Sequence, residues 1–261
     1  MNTFTFNEKT HRYFLDGKPM TGVTTVLGVI NKPALVQWAA NCAVDYIMEN
    51  GLLLDLSGDT HTDLPHFQID SKLLKEARTA HTQKRDKAAD AGTDVHGIIE
   101  GLLKSVIEIE GYILPETTSK NLQVQGFIDW AVKNKVCFTS SEGRVYSTTH
   151  FTAGTYDFTC EMDGLKYVGD LKTTSSIYDR TPFAQCAAYQ MMLAEMQGKE
   201  PSEIADRRLI INLKKTGTFD EEKDVYISEH YEDDIELFMS ALTMYRNVGR
   251  FEALSYLAKR K

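Results

Sequence analysis

Apolar positions recur every three or four residues in the first half of the sequence and every second residue from about residue 137. The first spacing is typical of amphipathic helices and the second of half-buried strands. The predicted helices are a short one before Lys32-Pro33, one from there to Gly51, and those over 71–90, 93–105, 118–135, 182–197 and 231–258. The predicted strands are 137–140, 143–148, 155–162, 165–172 and those in RRLIINL and DVYISEH. This order predicts an α/β core with a helical N-terminal part.

Two segments lie outside this pattern. The N-terminal FTFNEKTHRYFLDGKPM predicts two short strands around Asp16-Gly17. Residues 55–70 form a polar, irregular tract, which predicts a loop. The sequence shows no internal repeat and no clear linker, so a single domain is expected.

Composition adds little to this picture but argues against two classes of protein, membrane-spanning proteins and those with a signal peptide. The chain has 261 residues, of which 42% are hydrophobic and 25% charged, as in ordinary globular proteins. No apolar run approaches the roughly 20 residues that span a bilayer. The start MNTFTFNEKT lacks the basic and apolar regions of a signal peptide. A cytoplasmic protein with no membrane partner is therefore expected.

The formal net charge of −8 excludes attraction to phosphate by the overall field, so any nucleic-acid contact needs a local basic surface. The helix predicted within 72–90 offers one, because Lys75, Arg78 and Arg85 fall near one another at helical spacing. The alternative is an ordinary solvated helix surface.

The four cysteines are scattered, without the closely spaced pairs that hold zinc or iron–sulfur clusters. They are Cys42, Cys137, Cys160 and Cys186. Buried free thiols are the expected interpretation.

Asp157 and Asp170 are predicted to meet on neighbouring strands. The segment MDG at 162–164 predicts a tight turn, which pairs the strands antiparallel and places the two carboxylates opposite or diagonal. Lys172 shares a face with Asp170, because side chains two residues apart on a strand point the same way. Two close carboxylates repel each other unless a counter-charge is present.

Mg²⁺ or Mn²⁺ would relieve this repulsion, because hard divalent cations prefer oxygen ligands. A lysine beside such an ion can orient a water molecule or offset charge on a phosphate, which fits phosphodiester hydrolysis. The Asp-x-Lys spacing alone is weak evidence, since it also occurs at a predicted turn, Asp16-Lys18, and a predicted helix start, Asp70-Lys72. A surface ion pair is the alternative for the third copy.

Four short motifs occur in order along the chain. AGTDVHGIIE carries His96 and Glu100, GTYD carries Asp157, GDLKT carries Asp170 and Lys172, and QCAAY carries Gln185 and Tyr189. Over roughly residues 91–213 this series resembles the RecB-like branch of the PD-(D/E)XK nuclease superfamily, with Tyr156 where the motif name has proline. The opening THRYFLDGKPMTGVTTVLG and the later ALVQWA are similar to the start of phage and mitochondrial genome maintenance exonucleases of this branch.

The resemblance implies a role for each matched position. His96, Asp157 and Asp170 would be metal ligands together with the main-chain carbonyl of Leu171, and Lys172 would be the catalytic lysine. A histidine on an apolar helix face is otherwise more often a satisfied core residue.

The same resemblance implies that Gln185 and Tyr189 face the DNA backbone or steady the site. The alternatives are simple packing for Tyr189 and capping of a strand end for Gln185. Glu100 and Glu142 are candidates for supporting the site or contacting DNA, and each could equally be a surface carboxylate. The weaker candidates for contact with a nucleic-acid strand are Thr24, Thr25 and Trp38.

The implied fold is a PD-(D/E)XK nuclease core, a central mixed β-sheet flanked by helices, with a helical N-terminal part. One nuclease domain is expected over 1–261, with a hairpin and helical part over 1–135 and a RecB-like core over about 91–261 that includes the 93–105 helix. The helical part, roughly 33–135, is expected to wall a passage for a DNA strand. Its lining would carry Lys75, Arg78 and Arg85.

The implied activity is that of a deoxyribonuclease using one or two Mg²⁺ or Mn²⁺ ions, in phage or cellular DNA recombination, repair or replication. No iron–sulfur cluster is expected, because no cysteine follows Cys186. An exonuclease is favoured over an endonuclease, since the sequence resembles no sequence-reading module. The location would be the cytoplasm, that of the host for a phage protein.

The expected partners are DNA, especially free ends or single strands, and a recombination or single-strand-binding protein. Two alternatives stay open. One is a catalytically silent DNA-end-binding protein of a recombination complex, and the other is a restriction-type endonuclease.

Overall fold

The computed structural model describes residues 3–30, 33–54, 66–107 and 113–258. Its strands are β1 (Phe4–Asn7), β2 (Arg12–Leu15), β3 (Lys18–Pro19), β4 (Thr21–Gly22), β5 (Leu52–Leu54), β6 (His66–Gln68), β7 (Cys137–Ser147), β8 (Thr152–Met162), β9 (Leu165–Lys172), β10 (Arg207–Asn212) and β11 (Val225–Ser228). Its helices are α1 (Val23–Leu27), α2 (Pro33–Asn50), α3 (Ser71–Ile107), α4 (Leu122–Lys133), α5 (Thr181–Gln197), α6 (Pro201–Ile204), α7 (Glu221–Asp224) and α8 (Tyr231–Ala258).

The chain divides into two compact units, one of Met1–Ile30 with Asp94–Lys261 and the other of Asn31–Thr93. The larger unit is an α/β fold around a six-stranded mixed sheet, in the order β11-β10-β9-β8-β4 with β7 also paired to β8. Strands β9 and β10 are parallel, with α5 between them in sequence, whereas β8 and β9 are antiparallel. The expected α/β class with a mixed sheet is therefore confirmed.

One edge of β8 pairs with two different strands along its length. Strand β7 pairs with β8 from Thr152 to Glu161 and so occupies one edge. On the other edge, β9 pairs with residues 158–162 and β4 with residues 152–153. The described pairings therefore leave residues 154–157 of β8 without a strand partner on that edge.

The two faces of the sheet carry separate hydrophobic cores. Leu209 and Ile211 of β10 pack with α4 and the end of α3, whereas Ile210 packs with α5 and α8. This alternation follows from the two-residue period of a strand. Buried sheet strands thus have helices on both sides.

Two tight turns match their sequence signals. Asp163 and Gly164, with φ of 51° and 75°, connect β8 to β9, and Asp16 and Gly17, with φ of 49° and 74°, connect β2 to β3. Positive φ at both central residues is the hairpin geometry that Asp-Gly favours. The predicted antiparallel pairing of β8 with β9 is confirmed.

Several predicted boundaries are wrong. The helices predicted at 71–90 and 93–105 are one helix, α3, because the intervening ADAGT contains no proline to break it. The two strands predicted at 137–140 and 143–148 are one strand, β7, which absorbs a bulge between Phe138 and Ser140. The N-terminal segment makes three strands rather than two.

The loop predicted over 55–70 is also partly wrong. Residues 55–65 lie outside the described residues, but β6 at 66–68 pairs antiparallel with β5. Among the helices of the described ranges, none is both long and apolar enough to cross a bilayer.

The smaller unit contains α2, the β5–β6 hairpin and residues 71–93 of α3. Within α3, Leu73, Ala77 and Ala80 are buried at helical spacing. The three predicted basic positions are exposed on this helix: Lys75, Arg78 and Arg85.

Glu195 of α5 fixes the loop between β7 and β8. Its carboxylate accepts hydrogen bonds from the hydroxyls of Ser147, Thr148 and Thr149 and from the backbone N–H groups of Thr148 and Thr149. Burial alone would raise the pKa of Glu195, but these hydrogen bonds outweigh it and lower that pKa to about 2.

We expect Glu195→Gln to lower the free energy of unfolding at pH 7 by about 1–2 kcal/mol, after allowance for solvent screening. A lowered folded-state pKa stabilises the fold above the ordinary value of 4.5 and ceases to do so as pH falls towards 2. Denaturant unfolding at pH 7 and pH 2.5 should therefore show a difference that shrinks in acid. Glu161→Gln, at an exposed position on β8, is the control. An equal difference at both pH values would contradict this account.

Candidate functional site

Asp157 and Asp170 lie where β8 and β9 stop pairing. The last pair in the register is Phe158 with Gly169, so one further step places the two aspartates side by side. The Oδ2 atom of Asp157 accepts a hydrogen bond from the backbone N–H of Leu171 at 2.6 Å. This carboxylate therefore takes a main-chain donor at the point where the ladder ends.

Lys172 contacts Asp170 on the same face of β9. Its Nζ lies 2.6 Å from Asp170 Oδ2, and the side chains are 25% and 3% exposed. Asp170 Oδ2 is buried, and the Lys172 ammonium is the group that balances its charge. This pair is mostly buried, which excludes the interpretation as an ordinary surface ion pair.

The other two Asp-x-Lys copies are local structure, as expected. Asp16 lies in the β2–β3 turn. Asp70 accepts the backbone N–H of Leu73 at 2.7 Å and caps the start of α3.

Helix α5 supplies a polar pair that holds Asp170 and Lys172. The Nε2 atom of Gln185 donates to Asp170 Oδ1 at 2.8 Å and to the Tyr189 hydroxyl at 3.1 Å. Its Oε1 accepts from Lys172 Nζ at 3.2 Å. Tyr189 is buried against Gly154, where an added Cβ would lie 2.4 Å from the ring. These contacts support the site rather than a DNA-facing role for Tyr189.

His96 reaches the aspartates from α3. The helix is anchored by the buried side chains of Val95 and Ile99, and His96 Nδ1 lies 3.7 Å from Asp157 Oδ2. Burial lowers the pKa of His96, although Asp170 and a hydrogen bond to the Leu171 backbone act in the opposite direction. A neutral imidazole is the form that can ligate a metal.

Glu142 of β7 extends the row of carboxylates. In the β7–β8 register, Ser141 is opposite Phe158 and Gly143 is opposite Tyr156. Glu142 is therefore opposite Asp157. Its φ of 51° marks a local irregularity of the strand. Glu142, Asp157 and Asp170 therefore occupy one row across three adjacent strands.

Burial and the neighbouring Glu100 raise the pKa of Glu142 to about 7, with Lys104 and Arg144 opposing the change. Glu100 lies one helical turn after His96 and is paired with Lys104. Both glutamates named as supporting candidates thus lie close to the site, on the side of Asp157 away from Lys172.

The cluster has more negative charge than its cations balance. Burial and the adjacent Asp170 raise the pKa of Asp157 well above its usual value, although Lys172 and the Leu171 N–H oppose the rise. Burial tends to lower the pKa of Lys172, but Asp170 and Asp157 outweigh it and raise that pKa. Lys172 therefore stays charged while the carboxylates still repel each other.

The donor set fits a hard divalent cation in its chemistry. Carboxylate oxygens, a main-chain carbonyl and an imidazole are ligands of Mg²⁺ or Mn²⁺, and a cation there would relieve the repulsion between the buried carboxylates of Asp157 and Asp170. As their side chains stand, no three His, Cys, Asp or Glu residues of the described segments converge tightly enough to hold an ion. Asp170 instead contacts Lys172, and Asp157 contacts Leu171.

The remaining predicted residues belong to α1 and to the smaller unit. Thr24 and Thr25 are exposed on α1 in the larger unit. Trp38, 39% exposed, belongs with Lys75, Arg78 and Arg85 to the smaller unit. All four cysteines are free, and three are buried while Cys137 is partly exposed.

Sequence reasoning missed three residues near the row of carboxylates. The Tyr13 hydroxyl lies 2.9 Å from Thr155 Oγ1, and Arg144 is paired with Thr155 in the β7–β8 register. Thr155 is two residues before Asp157 on the same strand. The alternating aromatic residues of the N-terminal hairpin could have drawn attention to Tyr13. No local pattern indicated which strand that hairpin packs against.

No protein-family model matches this sequence, and no curated protein matches it significantly.

Proposed function

We propose that the protein is a Mg²⁺- or Mn²⁺-dependent deoxyribonuclease of the PD-(D/E)XK type, which hydrolyses phosphodiester bonds at DNA ends. One observation carries the proposal. His96, Asp157, Asp170 and Lys172 come from a helix and two strands, yet form a single contiguous cluster. A purely structural role does not require four buried or half-buried ionisable groups around unbalanced carboxylates.

The residues that would hold the ion are Asp157, Asp170 and His96, with the Leu171 carbonyl beside them. A divalent ion bound there would supply Lewis acidity for activating water and for polarising the phosphate. Lys172 stays protonated between Asp170 and Gln185, so it can donate to a phosphate oxygen as negative charge develops. Gln185 fixes the directions of both Asp170 and Lys172, and Tyr189 fixes Gln185.

End-dependent action is favoured over site-specific cleavage because the sequence resembles no base-reading module. A strand can then be held through its phosphates alone. Recombination, repair or replication of DNA is the setting in which such an activity is used.

The test is digestion of end-labelled linear DNA and closed circular DNA, single- and double-stranded, with Mg²⁺, Mn²⁺ or EDTA. We expect loss of linear DNA from its ends, only with metal, while closed circles survive. Discrete bands from closed circles would instead identify a restriction-type endonuclease. Binding to ends without cleavage in any metal would identify a silent end-binding protein. Undiminished cleavage in excess EDTA would remove the metal from the proposal.

A further inference from the structure

Arg144 lies beside the carboxylate row with a largely available guanidinium. It follows Glu142 by two residues on β7, and its side chain is 45% exposed. Its ionic partner among the described residues is Glu8, at 3.2 Å and itself 80% exposed. An exposed pair of this kind contributes about 0–1 kcal/mol, so the guanidinium can exchange Glu8 for another anion at little cost.

The N-terminal hairpin holds this guanidinium in place. The Cζ atom of Arg144 lies 4.5 Å from the centroid of the Phe6 ring, a cation–π contact. Phe6 is directly opposite Tyr13 in the β1–β2 register, and the two ring centroids are 4.8 Å apart. A planar guanidinium resting on a ring keeps its N–H edge free, which is the geometry that binds phosphate through two hydrogen bonds.

A hydrogen bond ties the hairpin to the strand of Asp157. The Tyr13 hydroxyl lies 2.9 Å from Thr155 Oγ1, and Thr155 is the register partner of Arg144. The position of Arg144 relative to Asp157 is therefore set by the β7–β8 ladder and by this contact, not by a loop.

We propose that Arg144, supported by Phe6 and Tyr13, binds a phosphate of the nucleic-acid strand next to the phosphate that is cut. This inference rests on the proposed function. Two residues along a strand span about 7 Å, which is similar to the distance between neighbouring phosphates of an extended single strand. Glu142 lies in the carboxylate row opposite Asp157, and Arg144 follows it by two residues on β7. Arg144 is therefore about 7 Å from the row along the strand direction.

The charge pattern fits this occupant. The carboxylates around Asp157 would repel a polyanion, and Lys172 lies beside Asp170 at the β9 end of the cluster. Continued past Asp157, the β7–β8 and β8–β9 registers place Arg144 and Lys172 on opposite sides of Thr155. A nucleic-acid strand that runs from β9 to β7 beside the carboxylates therefore meets a cation at each end. Without Arg144, the neighbouring phosphate would approach Glu142 and Glu100 directly.

The test places a neutral methylphosphonate at one phosphate at a time, on both sides of the cleaved bond, and measures kcat/KM in Mg²⁺. In the wild-type protein we expect a loss of about tenfold or more at one phosphate adjacent to the cut. In Arg144→Gln, cleavage of unmodified DNA should fall by a similar factor, and the loss at that one phosphate should disappear. Losses at the other phosphates should remain.

Arg207→Gln is the matched control, because Arg207 is also partly exposed and also paired with a glutamate, Glu229, at the far end of β10. It should give the wild-type profile. Arg144→Lys keeps the charge but not the planar guanidinium. In this variant, a methylphosphonate at the same phosphate should still lower kcat/KM, but by a smaller factor than in the wild type. The lysine variant replaces the glutamine variant in the test if the latter does not fold.

The two proposals fail in different ways. If the wild-type protein cleaves no DNA, the proposed function fails and the phosphate subsite fails with it. If the wild-type protein cleaves DNA but Arg144→Gln keeps the full loss at every modified phosphate, only the subsite is overturned. A general structural effect of the substitution would lower all rates without removing sensitivity at one position.

Discussion

Lys172→Ala should lose about 10²- to 10³-fold in cleavage rate while still binding DNA. The ammonium lies between Asp170 Oδ2 and Gln185 Oε1, where it is positioned to meet charge that develops on a phosphate. Binding depends mainly on phosphate contacts spread over the surface, so the affinity should change little. Single-turnover cleavage of labelled linear DNA and filter binding in EDTA measure the two quantities separately.

Lys166→Ala is the matched control, since Lys166 is on the same strand but exposed. It should cleave at the wild-type rate. Lys172→Arg keeps the charge with a different shape and should recover little activity. Equal rates for the alanine variants at positions 166 and 172 would exclude a catalytic lysine.

Asp157→Asn should abolish stabilisation by divalent metal and make the metal-free protein more stable at neutral pH. The pKa of Asp157 is raised by burial and by Asp170, so its ionisation opposes folding as pH rises above the ordinary value of 3.8. Asparagine removes that charge and can still accept the Leu171 N–H through its carbonyl oxygen. In EDTA the variant should therefore unfold at a higher temperature than the wild type, by a margin that grows from acid to neutral pH.

With Mn²⁺ at 100 times its dissociation constant, the wild-type protein should gain about 2.7 kcal/mol of stability, and Asp157→Asn should gain almost none. Thermal unfolding with and without metal, at several pH values, measures both effects. Asp163→Asn, in the exposed β8–β9 turn, should behave like the wild type. A metal-induced shift that survives in Asp157→Asn would show that the ion binds elsewhere.

Local signals were sufficient for much of the sheet. The β8–β9 hairpin follows from the alternation of β8 and from the turn signal at Asp163-Gly164. Its register brings Asp157 to Asp170 because a two-residue turn leaves no freedom to slip. The last helix, predicted over 231–258, has those limits in the structure. Such features depend on neighbours in sequence, which is why they can be read from it.

Whether a helix or strand continues or breaks at a given residue was harder to predict, because a local preference for a break competes with burial of the residues on both sides. Residues 91–92 were predicted to separate two helices, but a glycine such as Gly92 costs only about 1 kcal/mol in a helix, and burial of residues on both sides outweighs that cost. Likewise, residues 141–142 were predicted to separate two strands, whereas the eleven residues of β7 form one strand.

By itself, the sequence determined the chemical inventory and the local hairpin: which side chains could carry charge, and that Asp157, Asp170 and Lys172 share one small sheet. Only the tertiary structure decided that Glu142 joins their row, that Gln185 holds both Asp170 and Lys172, and that the N-terminal hairpin seats Arg144 next to them. The physical reason is distance along the chain. Contacts between remote segments are selected by the packing of whole faces, and no local pattern of residues records which faces will meet.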